Sequence, residues 1–169
     1  LALLPDSDTA AVQDDPQTWL GTSQKQDAVE TISLIKQLEL EVVHLILVDH
    51  YSIDEYWENK VTNLTKKIFV IDDLANRKHN CDFLLDQNLA PNYHCRYDNL
   101  VPIKCKTFLG ISFSLLREEF FLARKEIKPR SNAERILIFF GGIDLNNCTA
   151  KTIFALDEVE IAFTRIDVV

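Results

Sequence analysis

Four short apolar segments of this chain each end in a polar or glycine-containing cluster. They are residues 45–48, 68–71, 83–85 and 136–140. Short apolar runs separated by helix-like segments are typical of buried strands in a parallel sheet. The carboxyl ends of parallel strands share one edge of the sheet, and ligands bind in the crevice outside that edge. The pattern therefore predicts an α/β fold with a parallel-sheet, Rossmann-like domain and a cleft at the strand ends.

Helical periodicity separates several of these strands. The sequence predicts helices at about 24–38, from a cap at Ser52 onward, at about 115–128 and at about 147–156. Ser23 with Gln26, and Ser52 with Glu55, match the capping box that begins many helices. The order of strands and helices agrees with an α/β fold.

A proline and a polar run divide the chain. Pro129 ends the third predicted helix, and the polar residues after it predict a linker at 129–134. We therefore expect an N-terminal Rossmann-like domain at 1–128 and the beginning of a second domain at 135–169. The chain contains no Met and ends on an apolar stretch that predicts a further strand. We expect it to be an internal fragment that lacks both ends of its parent.

Composition narrows the range of partners. The net charge of -8 and the pI of about 5.0 argue against a nucleic-acid partner, which would require clustered Lys and Arg. No apolar run reaches the roughly 18–20 residues of a membrane span, so we expect a cytoplasmic protein. The spacing of the cysteines fits neither a disulfide framework nor a zinc site, which predicts reduced, mostly buried thiols and no bound metal.

The first strand end carries the most varied chemistry. Asp49, His50 and Tyr51 supply a carboxylate, an imidazole and a phenol next to one another. Such a group can orient sugar hydroxyls or amides, or support a general base. The same side chains can instead bond to neighbouring turns and stabilise the sheet edge. The residues alone leave both interpretations open.

Two further strand ends have simpler interpretations. Asp72 and Asp73 match the acid pair of a phospho-receiver domain only in part, so we expect a structural role, with Asp73 capping the following turn. In the last cluster, Gly141, Gly142 and Asp144 lie between a strand and a helix. Two glycines permit close approach of the backbone to an anion such as a diphosphate, although many such turns bind nothing.

Several motifs taken in order resemble one enzyme family. They are Asp49-His50-Tyr51 with Trp57 and Glu58, Asp72-Asp73 with Ala75, Arg77, His79, Cys81 and Asp82, Asp86-Gln87-Asn88, Leu115-Leu116-Arg117 with Glu119 and Phe120, and Gly141-Gly142 with Asp144. The chain resembles the UDP-sugar hydrolases of pseudaminic acid biosynthesis, a pathway that serves flagellin glycosylation. The resemblance implies a glycosyltransferase-B-like architecture of two Rossmann-like domains.

The resemblance also implies a reaction and a substrate. The reaction is cleavage of the anomeric C–O bond of UDP-2,4-diacetamido-2,4,6-trideoxy-β-L-altrose by water, without metal or other cofactor, releasing UDP and the free sugar. The resemblance also places Asp49, His50 and Tyr51 at the sugar, and Tyr51 is the residue expected to contact the sugar directly. Gly141, Gly142 and Asp144 are placed at the nucleotide.

One departure from the family affects the expected activity. The histidine proposed to activate water in this family lies in a Gly-x-Gly-His loop, and the 169 residues contain no such motif. The catalytic residue is therefore unassigned, and we expect the chain itself to be inactive. The alternatives are a transferase of the same architecture, a non-catalytic nucleotide-sugar binder, or a gene remnant. The sequence predicts no oligomeric state.

Overall fold

The computed structural model describes residues 18–39, 43–128, 135–142, 144–159 and 164–169. The chain divides into two compact units, of which one ends at Leu116 and the other begins at Arg117. The predicted linker at 129–134 lies outside the described residues. The predicted domains, 1–128 and 135–169, therefore stay a prediction.

A four-stranded parallel sheet organises the first unit. Its strands are β1 Ile46–Val48, β2 Ile68–Ile71, β3 Phe83–Asp86 and β4 Lys106–Leu109. They lie side by side in the order β1-β2-β3-β4. Ile46 is opposite Ile68, and Phe83 is opposite Lys106. All three pairings are parallel, which confirms the predicted α/β class and the parallel sheet.

The sequence analysis missed β4. This strand begins with Lys106 and Thr107, so it lacks the continuous apolar run that marked the other strands. It also follows the irregular segment between Pro91 and Pro102. Pairing with β3 along four positions defines β4, and this tertiary contact leaves little trace in the local sequence.

Within the described residues, the first unit contains two α-helices, α1 Gln24–Gln37 and α2 Glu55–Val61. The start of α1 is as predicted, because Ser23 Oγ accepts a hydrogen bond from the Gln26 amide at 3.1 Å. The helices are joined by the indole of Trp57, which donates to Asp27 Oδ1 at 2.7 Å.

The predicted cap of α2 was wrong by two residues. Asp54, rather than Ser52, caps the helix, and its Oδ1 accepts from the Tyr56 amide at 2.8 Å. Ser52 is buried, and its hydroxyl accepts from the amide of Leu20 at 3.3 Å. Both residue types cap helices well, so the sequence pattern alone did not separate them.

Apolar side chains from the sheet and both helices form one core. Its buried members are Ala28, Val48, Ile53, Trp57, Val61, Ile68, Val70, Cys81, Leu84 and Tyr97. Full burial of such a side chain contributes roughly 1.5–3 kcal/mol. This core fixes the strands whose carboxyl ends carry the polar clusters.

The described residues of the second unit form two parallel strands and two helices. In chain order they are α3 Glu118–Glu126, β5 Arg135–Ile138, α4 Cys148–Asp157 and β6 Arg165–Val168. Arg135 is opposite Arg165, and Ile138 is opposite Val168. The strand predicted at the end of the chain is thereby confirmed, while the glycosyltransferase-B-like architecture stays a prediction. No helix in the described ranges is long and apolar enough to span a bilayer.

Candidate functional site

A small cavity lies at the carboxyl ends of β1, β2 and β3. Its volume is about 150 Å³. The lining residues are Asp49, Tyr51, Ile71, Asp72, Asp73, Leu85, Gln87 and Leu115. The polar clusters after these three strands therefore meet at one edge of the sheet, as the parallel arrangement predicted.

Tyr51 brings a protonated hydroxyl to this cavity. Burial raises the pKa of Tyr51, and so do its hydrogen bond to the Asp73 carboxylate and the charges of Asp73, Asp72 and Asp49. The phenol therefore stays a hydrogen-bond donor at neutral pH. The ring of Trp19 lies 5.9 Å from the Tyr51 ring and limits where this side chain can move.

His50 is placed differently from its two neighbours. Its side chain is not among those that line the cavity. Nδ1 accepts a hydrogen bond from the Ser52 amide at 3.1 Å, and the His50 carbonyl accepts from the Ile53 amide at 3.2 Å. The structure thus brings Asp49 and Tyr51 together at the cavity, whereas the imidazole of His50 bonds to the turn that leads into α2.

Asp72 holds the turn after β2, a role that the sequence analysis assigned to Asp73. Asp72 Oδ2 accepts from the Ala75 amide at 3.1 Å and from the Tyr97 hydroxyl at 2.8 Å. Its Oδ1 lies 2.7 Å from Arg77 Nη1. Asp72 is the last residue before the chain turns, and its 1% exposure shows that it points inward.

The carboxylate of Asp73, unlike that of Asp72, does not hold the turn after β2, and Asp73 lines the cavity. Its Oδ2 accepts from Asn88 Nδ2 at 2.9 Å. Its Oδ1 is buried and has no hydrogen-bond partner within the described part of the chain. A buried carboxylate oxygen costs free energy when it is not bonded. Asp73 is therefore well suited to accept a hydrogen bond from a ligand.

The guanidinium of Arg96 joins the ends of β2 and β3, and the sequence analysis missed this residue. Its Nη1 lies 2.5 Å from Asp86 Oδ2, and its Nη2 donates to the Asp73 carbonyl at 2.9 Å. Asp86 is buried and also accepts from the Asn88 amide at 2.9 Å. Arg96 follows a stretch without periodicity, so no local signal placed its guanidinium here. The adjacent Gln87 lines the cavity.

The glycine turn of the second unit has a different geometry. Gly141 has a φ of +82°, whereas Gly142 does not have a left-handed φ. A Cβ on either glycine would meet no atom within 4 Å. Asp144 accepts from the amides of Cys148 and Thr149, each at 2.7 Å. These bonds, led by that from Thr149, lower the pKa of Asp144.

Asp144 therefore caps the start of α4 with its carboxylate, and its carbonyl accepts a hydrogen bond from the Asn147 amide in the preceding turn. Its carboxylate occupies two amides at the start of α4, where an anion would otherwise bind. The glycines remain exposed. Across the described ranges, no three His, Cys, Asp or Glu side chains are grouped as a metal site.

The chain is similar to a known hydrolase. The chain is 36% identical over 133 residues to the UDP-2,4-diacetamido-2,4,6-trideoxy-beta-L-altropyranose hydrolase of Campylobacter jejuni. The match confirms the resemblance to that hydrolase family. It covers 78% of this chain and 46% of the Campylobacter protein, so the chain spans about half the length of this relative.

A more distant relative comes from Methanocaldococcus jannaschii. The chain is 28% identical to its uncharacterized protein MJ1062 over 132 residues, which are 75% of this chain and 26% of that protein. No family model matches the chain. The Campylobacter hydrolase is therefore the relative that guides a functional proposal.

Proposed function

We propose that this chain is part of a hydrolase that releases UDP from a UDP-sugar, and that the sugar enters the cavity at the ends of β1–β3. The observation that carries the proposal is the meeting of Asp49, Tyr51 and Asp73 around this cavity. Sites for small molecules usually measure about 300–1,000 Å³, whereas this one measures about 150 Å³. It therefore accepts one part of the sugar, such as an acetamido group.

The polar groups of the cavity suit a diacetamido sugar. The carboxylates of Asp49 and Asp73 accept hydrogen bonds from amide N–H or hydroxyl groups, and the Tyr51 hydroxyl donates one to an acetamido carbonyl. Charged acceptors make stronger hydrogen bonds than neutral ones. This combination favours a sugar with both N–H and C=O groups.

The proposed reaction needs more than binding. Water attacks the anomeric carbon on the face opposite UDP, the C–O bond breaks, and UDP leaves with its bonding electrons while the sugar inverts. A base must take the proton from water. The 169 residues contain no Gly-x-Gly-His loop to supply it, so we propose that the chain alone binds the sugar without turning it over.

The proposed contact with the nucleotide involves the second unit. In a glycosyltransferase-B-like arrangement, the exposed turn at Gly141 and Gly142 contacts the diphosphate, and Asp144 keeps this turn joined to α4. We further propose that the reaction takes place in the cytoplasm as a step of pseudaminic acid biosynthesis. The similarity to the Campylobacter hydrolase supports this assignment.

An NMR experiment tests the proposal. The chain is mixed with UDP-2,4-diacetamido-2,4,6-trideoxy-β-L-altropyranose, saturation transfer to the acetamido methyl groups is measured, and free UDP is followed by its phosphorus signals. We expect saturation transfer without UDP release above the buffer rate. Asp73→Asn should weaken the transfer, and Asp98→Asn, at an exposed position, should not.

Each opposite result would be informative. A lack of transfer to the sugar, with the protein folded, would remove the cavity as the sugar site. UDP release by the purified chain would show that a base is present among these 169 residues.

A further inference from the structure

The sulfur atoms of Cys81 and Cys105 lie 3.6 Å apart. Cys81 precedes β3 and Cys105 precedes β4, so the two thiols lie where these neighbouring strands begin. Neither is in a disulfide. We propose that Cys81 and Cys105 form an oxidation site, at which a hydroperoxide converts the two thiols into a disulfide.

Cys105 is the thiol that an oxidant can reach. It borders a cavity of about 610 Å³, whose other walls include His94, Tyr97, Val101, Pro102 and Thr107. This volume greatly exceeds that of a small hydroperoxide. Cys81 does not border the cavity and is only 3% exposed. The geometry therefore assigns the first reaction to Cys105 and the second to Cys81.

The interaction between the two thiols also separates their protonation. The hydrogen bond from Cys81 lowers the pKa of Cys105. The same hydrogen bond, together with burial, raises the pKa of Cys81. Because the thiolate is the form that attacks an oxidant, Cys105 is the more reactive of the two.

The chemistry proceeds in two balanced steps. The Cys105 thiolate attacks the O–O bond of the hydroperoxide, an S–O bond forms, and hydroxide or alkoxide leaves, so the sulfur is oxidised by two electrons to sulfenic acid. The Cys81 sulfur then attacks the Cys105 sulfur. The S–S bond forms, the S–O bond breaks, and the hydroxide leaves as water with the proton from Cys81.

The segments joined by this bond already lie next to each other. The Lys106 amide donates to the Asp82 carbonyl at 2.9 Å, and each of these residues directly follows one of the two cysteines. An S–S bond is about 2.05 Å long, so side-chain rotation must bring the sulfur atoms closer. The disulfide would join the beginnings of β3 and β4.

Peptide mapping of the unaltered chain tests the site directly. The reduced protein is treated with hydrogen peroxide, the remaining thiols are alkylated, and the digest is analysed by mass spectrometry. We expect a peptide pair joined through Cys81 and Cys105 that separates after dithiothreitol. Recovery of both cysteines in alkylated form, or a disulfide between Cys105 and a different cysteine, would overturn the proposal.

Three variants assign the order of the steps. Cys81→Ser should leave a sulfenic acid on Cys105 that dimedone traps. Cys105→Ser should slow the oxidation of Cys81 by about tenfold or more, because the buried thiol lacks an activated partner. Cys95→Ser is the matched control at an exposed cysteine and should not change the disulfide yield. Faster oxidation of Cys81 than of Cys105 would contradict the proposed order.

Discussion

Glu58 and His79 are bonded to each other in complete burial. Glu58 Oε1 lies 2.7 Å from His79 Nδ1, and both side chains are 0% exposed. The other Glu58 oxygen accepts from the Asn80 amide. His79 Nε2 lies 4.0 Å from Oδ2 of Asp72, which lines the cavity. The buried pair thus joins α2 to the segment before β3 and lies next to Asp72, a residue that lines the cavity.

Removal of Glu58 should strongly destabilise the first unit. Glu58→Ala leaves the His79 imidazole and the Asn80 amide without their acceptor, and breaking a buried pair costs about 3–5 kcal/mol. Glu55→Ala, at an exposed position in the first turn of α2, should cost about 1 kcal/mol or less. Urea unfolding of both variants measures the difference. Similar small losses would contradict a stabilising role for the buried pair.

Tyr97 should make the stability of the chain sensitive to alkaline pH. Burial, the charge of Asp72 and the hydrogen bond to Asp72 raise the pKa of Tyr97. An unfolded tyrosine loses its proton near pH 10 while the folded one keeps it, so this contribution is complete below about pH 10 and falls as the pH rises. Well above pH 10, where the unfolded tyrosine is fully ionised, the fall approaches about 1.4 kcal/mol per pH unit.

Comparison with Tyr97→Phe isolates this effect. At pH 8 the variant should be less stable by about 1–3 kcal/mol, because Asp72 loses a hydrogen-bond donor. Between pH 10 and pH 11 the difference between the two proteins should shrink by about 1 kcal/mol, because the unfolded tyrosine is half ionised at pH 10. Urea unfolding at each pH gives these values. A difference that stays constant with pH would show that Tyr97 titrates alike in the folded and unfolded chains.

The parallel strands were predictable where burial leaves an unbroken apolar run. β2 and β3 carry such runs, and α1 carries both a periodic face and a serine cap. β4 was not predictable, because Lys106 and Thr107 interrupt its apolar character and pairing with β3 defines it. Local sequence therefore predicted the strands and helices whose own residues carry an apolar pattern. It did not predict β4, which depends on pairing with β3.

The site was predictable in position and less so in the role of each side chain. Strand ends in a parallel sheet meet, so Asp49 and Tyr51 were expected at the cleft. A strand end does not reveal which neighbouring residue turns inward, and Asp72 took the structural role expected of Asp73. The contact of Arg96 with Asp86 spans an irregular segment and depends on tertiary folding.

The Tyr51 hydroxyl should contribute to sugar binding. Tyr51→Phe keeps the ring beside Trp19 but removes the donor, and a hydrogen bond contributes about 0.5–1.5 kcal/mol. Affinity for the UDP-sugar should fall by roughly twofold to tenfold. Tyr56→Phe, at an exposed position on α2, is the control. Calorimetric titration of both variants measures the effect, and equal affinities would assign Tyr51 to packing alone.

The two glycines of the second unit allow backbone conformation and diphosphate contact to be tested separately. Gly141 has a φ of +82°, so Gly141→Ala forces a side chain into the left-handed region and should cost about 1–2 kcal/mol of stability. Gly142 lies outside that region, and an added methyl group meets no atom within 4 Å. Gly142→Ala should therefore change stability by less than about 0.5 kcal/mol.

Gly142→Ala consequently reports on ligand approach with little interference from folding. If the backbone of this turn contacts the diphosphate, the new methyl group lies between the amides and the phosphates and weakens UDP binding. We expect a loss of affinity of about tenfold, measured by UDP titration beside thermal unfolding. Unchanged UDP affinity in both folded variants, Gly141→Ala and Gly142→Ala, would exclude this turn from the nucleotide site. A loss of affinity only in Gly141→Ala would instead show that the conformation of the turn, rather than close approach at Gly142, controls binding.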